Sequence, residues 1–404
     1  MEYAMLINVN ELLISLSKAL DFAEKGVIRN TTNHGMRVAY IAARIGRQLS
    51  MPDENLFDLI SYSLLHDNGV MKALLNRCGT QGQPEQGRMD AETDPSHCEE
   101  GEKNIETFPF LHKEENVIRY HHEHYDGSGF FGVQGREIPL YARIIALADY
   151  AAVRYASGRS DDAITESIDR DARCFDPVVR ECYHELRCNA EFWLGMDDMF
   201  VQNTLVHMIP HVSRELDYRA LRKISQIFSR IIDAKSPFTG SHSRGISEKT
   251  GFICRYYEFD DTTYWKMRIA ADLHDLGKLA VPNEILDKPG KLTPVEFAVI
   301  QSHPFYTRKA LEMIRGFEDI TEWASNHHEK LDGSGYPFGL GEVQLDFNSR
   351  ILACVDIYQA LTEDRPYRKA MEHADAIRIM TDMASRHLIE SSVTEDMNSI
   401  FRII

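Results

Sequence analysis

The chain repeats itself, and the repeat carries histidines. With His66-Asp67 laid over His274-Asp275, the flanking histidines fall into register. His34 precedes the first pair by 32 residues, and His242 precedes the second by 32. Downstream, His97 and His303 follow at 31 and 29 residues. The double histidines His121-His122 and His327-His328 come at 55 and 53, in HHEHYDGSGF and HHEKLDGSGY. Each copy closes on an aspartate in an apolar stretch, Asp149 in RIIALAD and Asp356 in RILACVD. One ordered set appearing twice means a tandem duplication of a single structural unit. The length of 404 residues agrees, at ~150 residues per domain. The boundary falls near residue 210, giving domains 1–210 and 211–404.

Helical signals dominate both copies, and the expected fold is all-α. Val38, Ile41, Ala42, Ile45 and Leu49 recur at helical spacing behind His34, as Ile246, Ile253 and Tyr257 do behind His242. Strand-like alternation is scarce. Gly and Pro cluster at 79–84, 126–135, 236–241 and 332–341, which read as loops between helices. The stretch 156–216 has no such cluster and reads as helices that finish the first copy. The first 25 residues read as an amphipathic helix, with acids where a signal peptide starts basic. No run reaches the ~18–20 apolar residues needed to span a bilayer. The seven cysteines, Cys78, Cys98, Cys174, Cys182, Cys188, Cys254 and Cys354, are odd in number and form no C-x-x-C pair. That pattern fits buried thiols in a reducing cytoplasm rather than a disulfide framework. A net charge of −17 argues against gripping long nucleic acid, which needs a basic surface. It leaves room for a small phosphate ligand held by a few local cations or by metal ions.

Each copy offers five histidines and two aspartates in the order H…HD…H…HH…D. A lone histidine on an apolar face is ordinarily a packed core residue; the same ordered set occurring twice is not. Imidazole and carboxylate together suit Fe, Mn or Zn-type ions. Seven ligands exceed what one tetrahedral ion takes and suggest two ions, with the aspartate of the HD pair able to bridge them. Two metals ~3.5–4 Å apart are a common means of hydrolysing phosphodiesters, because they activate water and stabilise charge on the attacking and leaving oxygens.

The second copy resembles the HD-GYP family, a branch of the HD phosphohydrolase superfamily. The resemblance rests on HDLGK at 274–278, HHEKLDGSGYP at 327–337 and DIYQALTEDRPYR at 356–368. It covers about residue 216 to the end. It implies two tandem HD-type helical bundles and hydrolysis of a cyclic dinucleotide, cyclic di-GMP or the mixed GMP–AMP ring, in bacterial second-messenger signalling. The implied metal ligands are His242, His274, Asp275, His303, His327, His328 and Asp356. They would hold two divalent ions, iron by family expectation with manganese able to substitute. Asp275 and Lys278 take the catalytic positions, the lysine as a cation beside the scissile phosphate. Arg365 and Arg368 match substrate contacts, for which the guanidinium fork is suited. Tyr336 and Pro337 lie in a loop associated with substrate access and with contact to a signalling partner. Some members hold a third ion with a Glu four residues before the first histidine; that position is Phe238 here.

The first copy resembles the family's metal shell and little else. His34, His66, Asp67, His97, His121, His122 and Asp149 keep every ligand position, so a second metal site is expected. The lysine position, however, is Val70, the Gly-Tyr-Pro position reads Gly129-Phe130-Phe131, and RYASGRS follows where RPYR would fall. Two readings stay open: a metal-holding, non-catalytic partner of the second copy, or a different phosphatase such as a nucleotidase. For the whole chain the competing reading is a sensor that binds a cyclic dinucleotide without cutting it.

Overall fold

The computed structural model describes residues 4–7, 9–24, 33–70, 94–210, 214–235, 242–364 and 369–402. The chain divides into two compact units, Leu6–Arg214 and Glu215–Ile404, the latter grouped with Met1–Met5. Both are helical. Among the described residues the strands are two, Ala4–Ile7 and Arg214–Asp217. The first corrects the expectation that the N-terminus is helical throughout: the helix begins at Val9 and runs to Glu24. A short apolar run such as AMLI has too few residues for its period to separate helix from strand.

In the first unit the helix His34–Gln48 packs against Asp53–Leu64 and Leu140–Ala156. The stretch after residue 156 forms helices Asp161–Arg170, Pro177–Leu186, Ala190–Leu194 and Val201–Met208. In the second unit His242–Tyr256 packs against Asp261–Leu273 and Phe347–Thr362. Tyr218–Asp233 lies on Asp261–Leu273 and buries Leu221, Ile224, Ile227, Phe228, Ile231 and Ile232, one stripe at 3.6-residue period. Side-chain caps fix where these helices begin. Asp217, Asp260 and Asp346 accept from the amides of Ala220, Thr263 and Ser349 at 2.7, 2.9 and 2.8 Å. Thr293 and Glu296 form a reciprocal capping box. No helix among the described residues is long and apolar enough to cross a membrane. The six described cysteines are free thiols.

One backbone approach sets the position of each HD pair. His274 ends the helix Asp261–Leu273, and a 3-10 turn, Leu276–Ala280, follows Asp275. Gly277 in that turn lies so close to the helix His303–Leu311 that a Cβ would stand 1.9 Å from the His303 carbonyl oxygen. The Thr307 hydroxyl accepts from the Gly277 amide and donates to the His274 carbonyl, both at 2.9 Å. The first copy repeats the approach: a Cβ on Gly69 would stand 2.1 Å from the His97 carbonyl oxygen. Glycine is needed here for space, and it joins the HD turn to the helix that carries the next ligand. Gly277→Ala is therefore expected to destabilise the chain by about 1–3 kcal/mol, as overpacking does. Chemical denaturation measures this; an unchanged midpoint would contradict the close approach.

Candidate metal centre

The structure brings all seven predicted ligands of the second copy together, most of them fully buried. His242 and His274 come from helix ends, Asp275 from the HD turn and His303 from the start of its helix. His327 and His328 follow the helix Glu318–Ser325, and Asp356 lies inside Phe347–Thr362. The Asp275 carboxylate sits centrally. Its Oδ2 is 3.2 Å from Nε2 of His274 and 3.9 Å from that of His242. Its Oδ1 is 3.2 Å from Nε2 of His303 and 3.9 Å from that of His327. Asp356 meets His242 at 3.4 Å and His328 at 3.7 Å through its two oxygens. The ligand atoms fall into two groups, His242–His274–Asp356 and His303–His327–His328, each compact enough to surround one ion.

What aims these rings is backbone. The Nδ1 atoms of His274, His303 and His327 lie 2.8, 2.8 and 2.7 Å from the carbonyl oxygens of Ala271, Ile300 and Ala324. A carbonyl only accepts, so each Nδ1 carries the hydrogen and each ring turns its Nε2 inward, where it can meet a metal. The first copy does the same with His66, His97 and His121 on Ser63, Asp94 and Ile118, at 2.8, 2.7 and 2.6 Å.

Electrostatics fit a cation. Burial and the neighbouring imidazoles push His327 well below the usual histidine range, and burial takes His328 down to about 3, so both rings are neutral donors. Burial would raise Asp275, but His274 and Lys278 beside it outweigh that and hold it well below the carboxylate range. Burial likewise opposes ionisation of Asp356, and hydrogen bonding to His242 outweighs it and holds Asp356 low. Nε2 of His274 and Oδ1 of Asp275 are buried and, although each has a neighbour at 3.2 Å, neither makes a well-directed hydrogen bond, a costly arrangement for polar atoms unless a metal takes their lone pairs. The residues present fit a pair of divalent ions.

Lys278 lies at the rim, its Nζ 2.5 Å from Oδ2 of Asp275. Tyr336 is partly buried, its ring 4.8 Å from that of His328, and Pro337 follows it in the loop. Burial, then the charges of Asp356 and Asp275, raise the Tyr336 phenol, so it remains a donor. Arg365 and Arg368, like Phe238, lie outside the described residues.

The first copy assembles its shell too. His34 is 3.1 Å from Asp149 and 3.3 Å from His66, and His66 is 3.2 Å from Asp67. Asp67, His97, His121 and His122 form one group and His34, His66 and Asp149 another. Val70, buried, stands where Lys278 does. A cavity of about 450 Å³ opens beside His121, His122 and Asp149, with Phe130, Tyr150 and Arg154 in its wall.

Three acidic residues have roles that the sequence reading did not assign. Glu329, in the HHE motif, is 3% exposed. Its carboxylate accepts from the amides of Phe338 and Leu340 at 2.7 and 2.9 Å and so closes the 332–341 loop. Glu123 holds Phe131 and Val133 identically at 2.7 and 2.8 Å. The shared spacing was the available signal. Glu363, which had no such signal, reaches His242. Glu329→Ala is expected to cost on the order of 3 kcal/mol, two charge-assisted hydrogen bonds, with metal content retained. A variant of native stability that has lost its metal would contradict this assignment.

The chain is similar to known proteins along most of its length. The HD domain family matches residues 8–177 and again 226–393. Two 3'3'-cGAMP-specific phosphodiesterases of Vibrio cholerae, numbers 3 and 1, are each 30% identical to the chain. They align over 93% and 96% of it respectively, and over 90% of their own lengths. A cyclic di-GMP phosphodiesterase of Pseudomonas aeruginosa is 36% identical, over 42% of this chain and 41% of its own. Among solved structures, the cyclic GMP-AMP specific phosphodiesterase V-cGAP3 of V. cholerae superposes with a TM-score of 0.68 at 27% identity. That match covers 100% of this chain and 99% of the other.

Proposed function

Because the chain belongs to the HD domain family, we propose that its second copy is a metal-dependent phosphodiesterase that opens a cyclic dinucleotide to a linear one. The observation that carries this is the buried seven-ligand shell with Lys278 at its rim, a combination the first copy lacks at Val70. We take 3',3'-cyclic GMP-AMP as the preferred ring and cyclic di-GMP as the alternative. The relatives that match both copies bear the first name, and the cyclic di-GMP relative quoted above matches less than half the chain.

His242, His274, Asp275, His303, His327, His328 and Asp356 would hold two divalent ions, iron first and manganese next. When bound, these supply an activated water and positive charge for the phosphate oxygens. The chain's own part is orientation and charge. The backbone-pinned imidazoles keep their lone pairs aimed inward, so little reorganisation is needed. Lys278 places an ammonium where negative charge grows on the departing sugar oxygen; as the water oxygen bonds to phosphorus and the phosphorus–sugar oxygen bond breaks, that oxygen takes up the proton the water gives off. Tyr336 offers a hydroxyl donor at the entrance, and Arg365 and Arg368 are proposed to grip the second phosphate or a base. The proposed setting is the cytoplasm, and the loop at Tyr336 and Pro337 is the surface proposed for a signalling partner.

A second reading, for the first copy only, draws on its cavity. A pocket of about 450 Å³ against a metal shell suits a mononucleotide-sized phosphate ester better than it suits mere packing.

The test is turnover. Metal-loaded protein, kept anaerobic, is incubated with each ring and followed by chromatography. Hydrolysis of the mixed ring is expected, lowered roughly 100-fold or more in Lys278→Ala. His66→Ala, in the first copy, is expected to leave it close to wild type. Tight binding of either ring without turnover would overturn the proposal in favour of a sensor. Phosphate release from mononucleotides that survives Lys278→Ala but not His66→Ala would establish the second reading.

A further inference from the structure

Of the first-group ligands, His242 is held differently from the backbone-pinned rings. Its Nδ1 lies 2.8 and 2.9 Å from the two carboxylate oxygens of Glu363, whose side chain is 13% exposed. Glu363 is itself braced. Gln359 donates to it at 3.0 Å, and Lys249 donates to Gln359 at 2.7 Å. Asp356, Gln359 and Glu363 stand at spacings of three and seven residues, one face of the helix Phe347–Thr362 and its cap. Close packing permits the brace: a Cβ on Gly245 would come within 2.6 Å of the Gln359 amide nitrogen.

We propose that Glu363 is a positioning residue for the metal centre, fixing His242 through its Nδ1 and thereby setting the affinity of one ion, the one held by His242, His274 and Asp356. A carboxylate on the far nitrogen fixes the tautomer, orients the ring and makes its lone pair more basic. The effect is confined to that ion, because His303 and His327 in the other group rest on backbone carbonyls. The same three side chains do not recur at the matching positions of the first copy. The counterparts of Lys249, Gln359 and Glu363 in the repeat are Ile41, Ala152 and Ala156, none of which has a polar side chain.

This inference rests on the metal-binding reading of the site, and the experiment separates the two. Manganese binding is titrated by calorimetry in wild type, Glu363→Ala, Glu363→Gln and Gly245→Ala, each with His66→Ala and His97→Ala to silence the first copy. Wild type with this background is expected to bind two ions. Glu363→Ala should keep one at native affinity and bind the other 10–100-fold more weakly. Glu363→Gln, which retains an acceptor oxygen, should fall between. Gly245→Ala should shift the same ion in the same direction, with thermal stability as the check on folding. Two ions bound by Glu363→Ala at wild-type affinity would overturn the inference. Equal weakening of both ions, or loss of folding, would make Glu363 a general structural residue and overturn it too. No manganese bound by the parent background would instead sink the metal reading itself.

Discussion

Both shells depend on one small interaction, the hydrogen bond from an imidazole Nδ1 to a backbone carbonyl three residues earlier. Six of the ten shell histidines show it, three in each copy. The bond costs no second side chain, and in four of the six it uses a carbonyl in the last turn of a helix that would otherwise lack an intrahelical partner. It also decides which nitrogen faces inward. From that follows a cluster of lone pairs and carboxylate oxygens inside a helical core, which is unfavourable on its own and becomes stable only around positive charge.

The parts of the structure that do no chemistry make this possible. Gly277 and Gly69 let one helix start against the turn that carries the HD pair. Glu329 and Glu123 spend a buried carboxylate on closing a loop, and the second-copy loop carries Tyr336. The duplication helps to separate these roles. Residues common to both copies build the shell, and residues found only in the second, Lys278, Tyr336 and the Glu363 brace, are those to which function is assigned.

The ligands were legible in the sequence because metal binding tolerates few residue types, and their order was written twice. The all-helical fold was legible from apolar spacing. The brace behind His242 was not. Gln359 and Glu363 stand inside the 356–368 motif with no role attached there, Lys249 lies more than a hundred residues earlier, and the three meet only when two helices distant in sequence pack together. Glu329 was visible as a motif letter, but its partners are amides nine and eleven residues away, which no pattern reveals. The division of the ligands into two groups of three is likewise a property of packing. At the N-terminus the short run AMLI was too brief for its period to distinguish strand from helix.

The central claim is that the second copy gathers two ions around Asp275. Anomalous diffraction from crystals of the manganese-loaded protein tests it most directly. Two peaks about 3.5–4 Å apart, flanking the Asp275 carboxylate and within bonding distance of the histidine Nε2 atoms, are expected. A shell with no peak, or with ions elsewhere in the unit while the seven side chains stay as they are, would contradict the account.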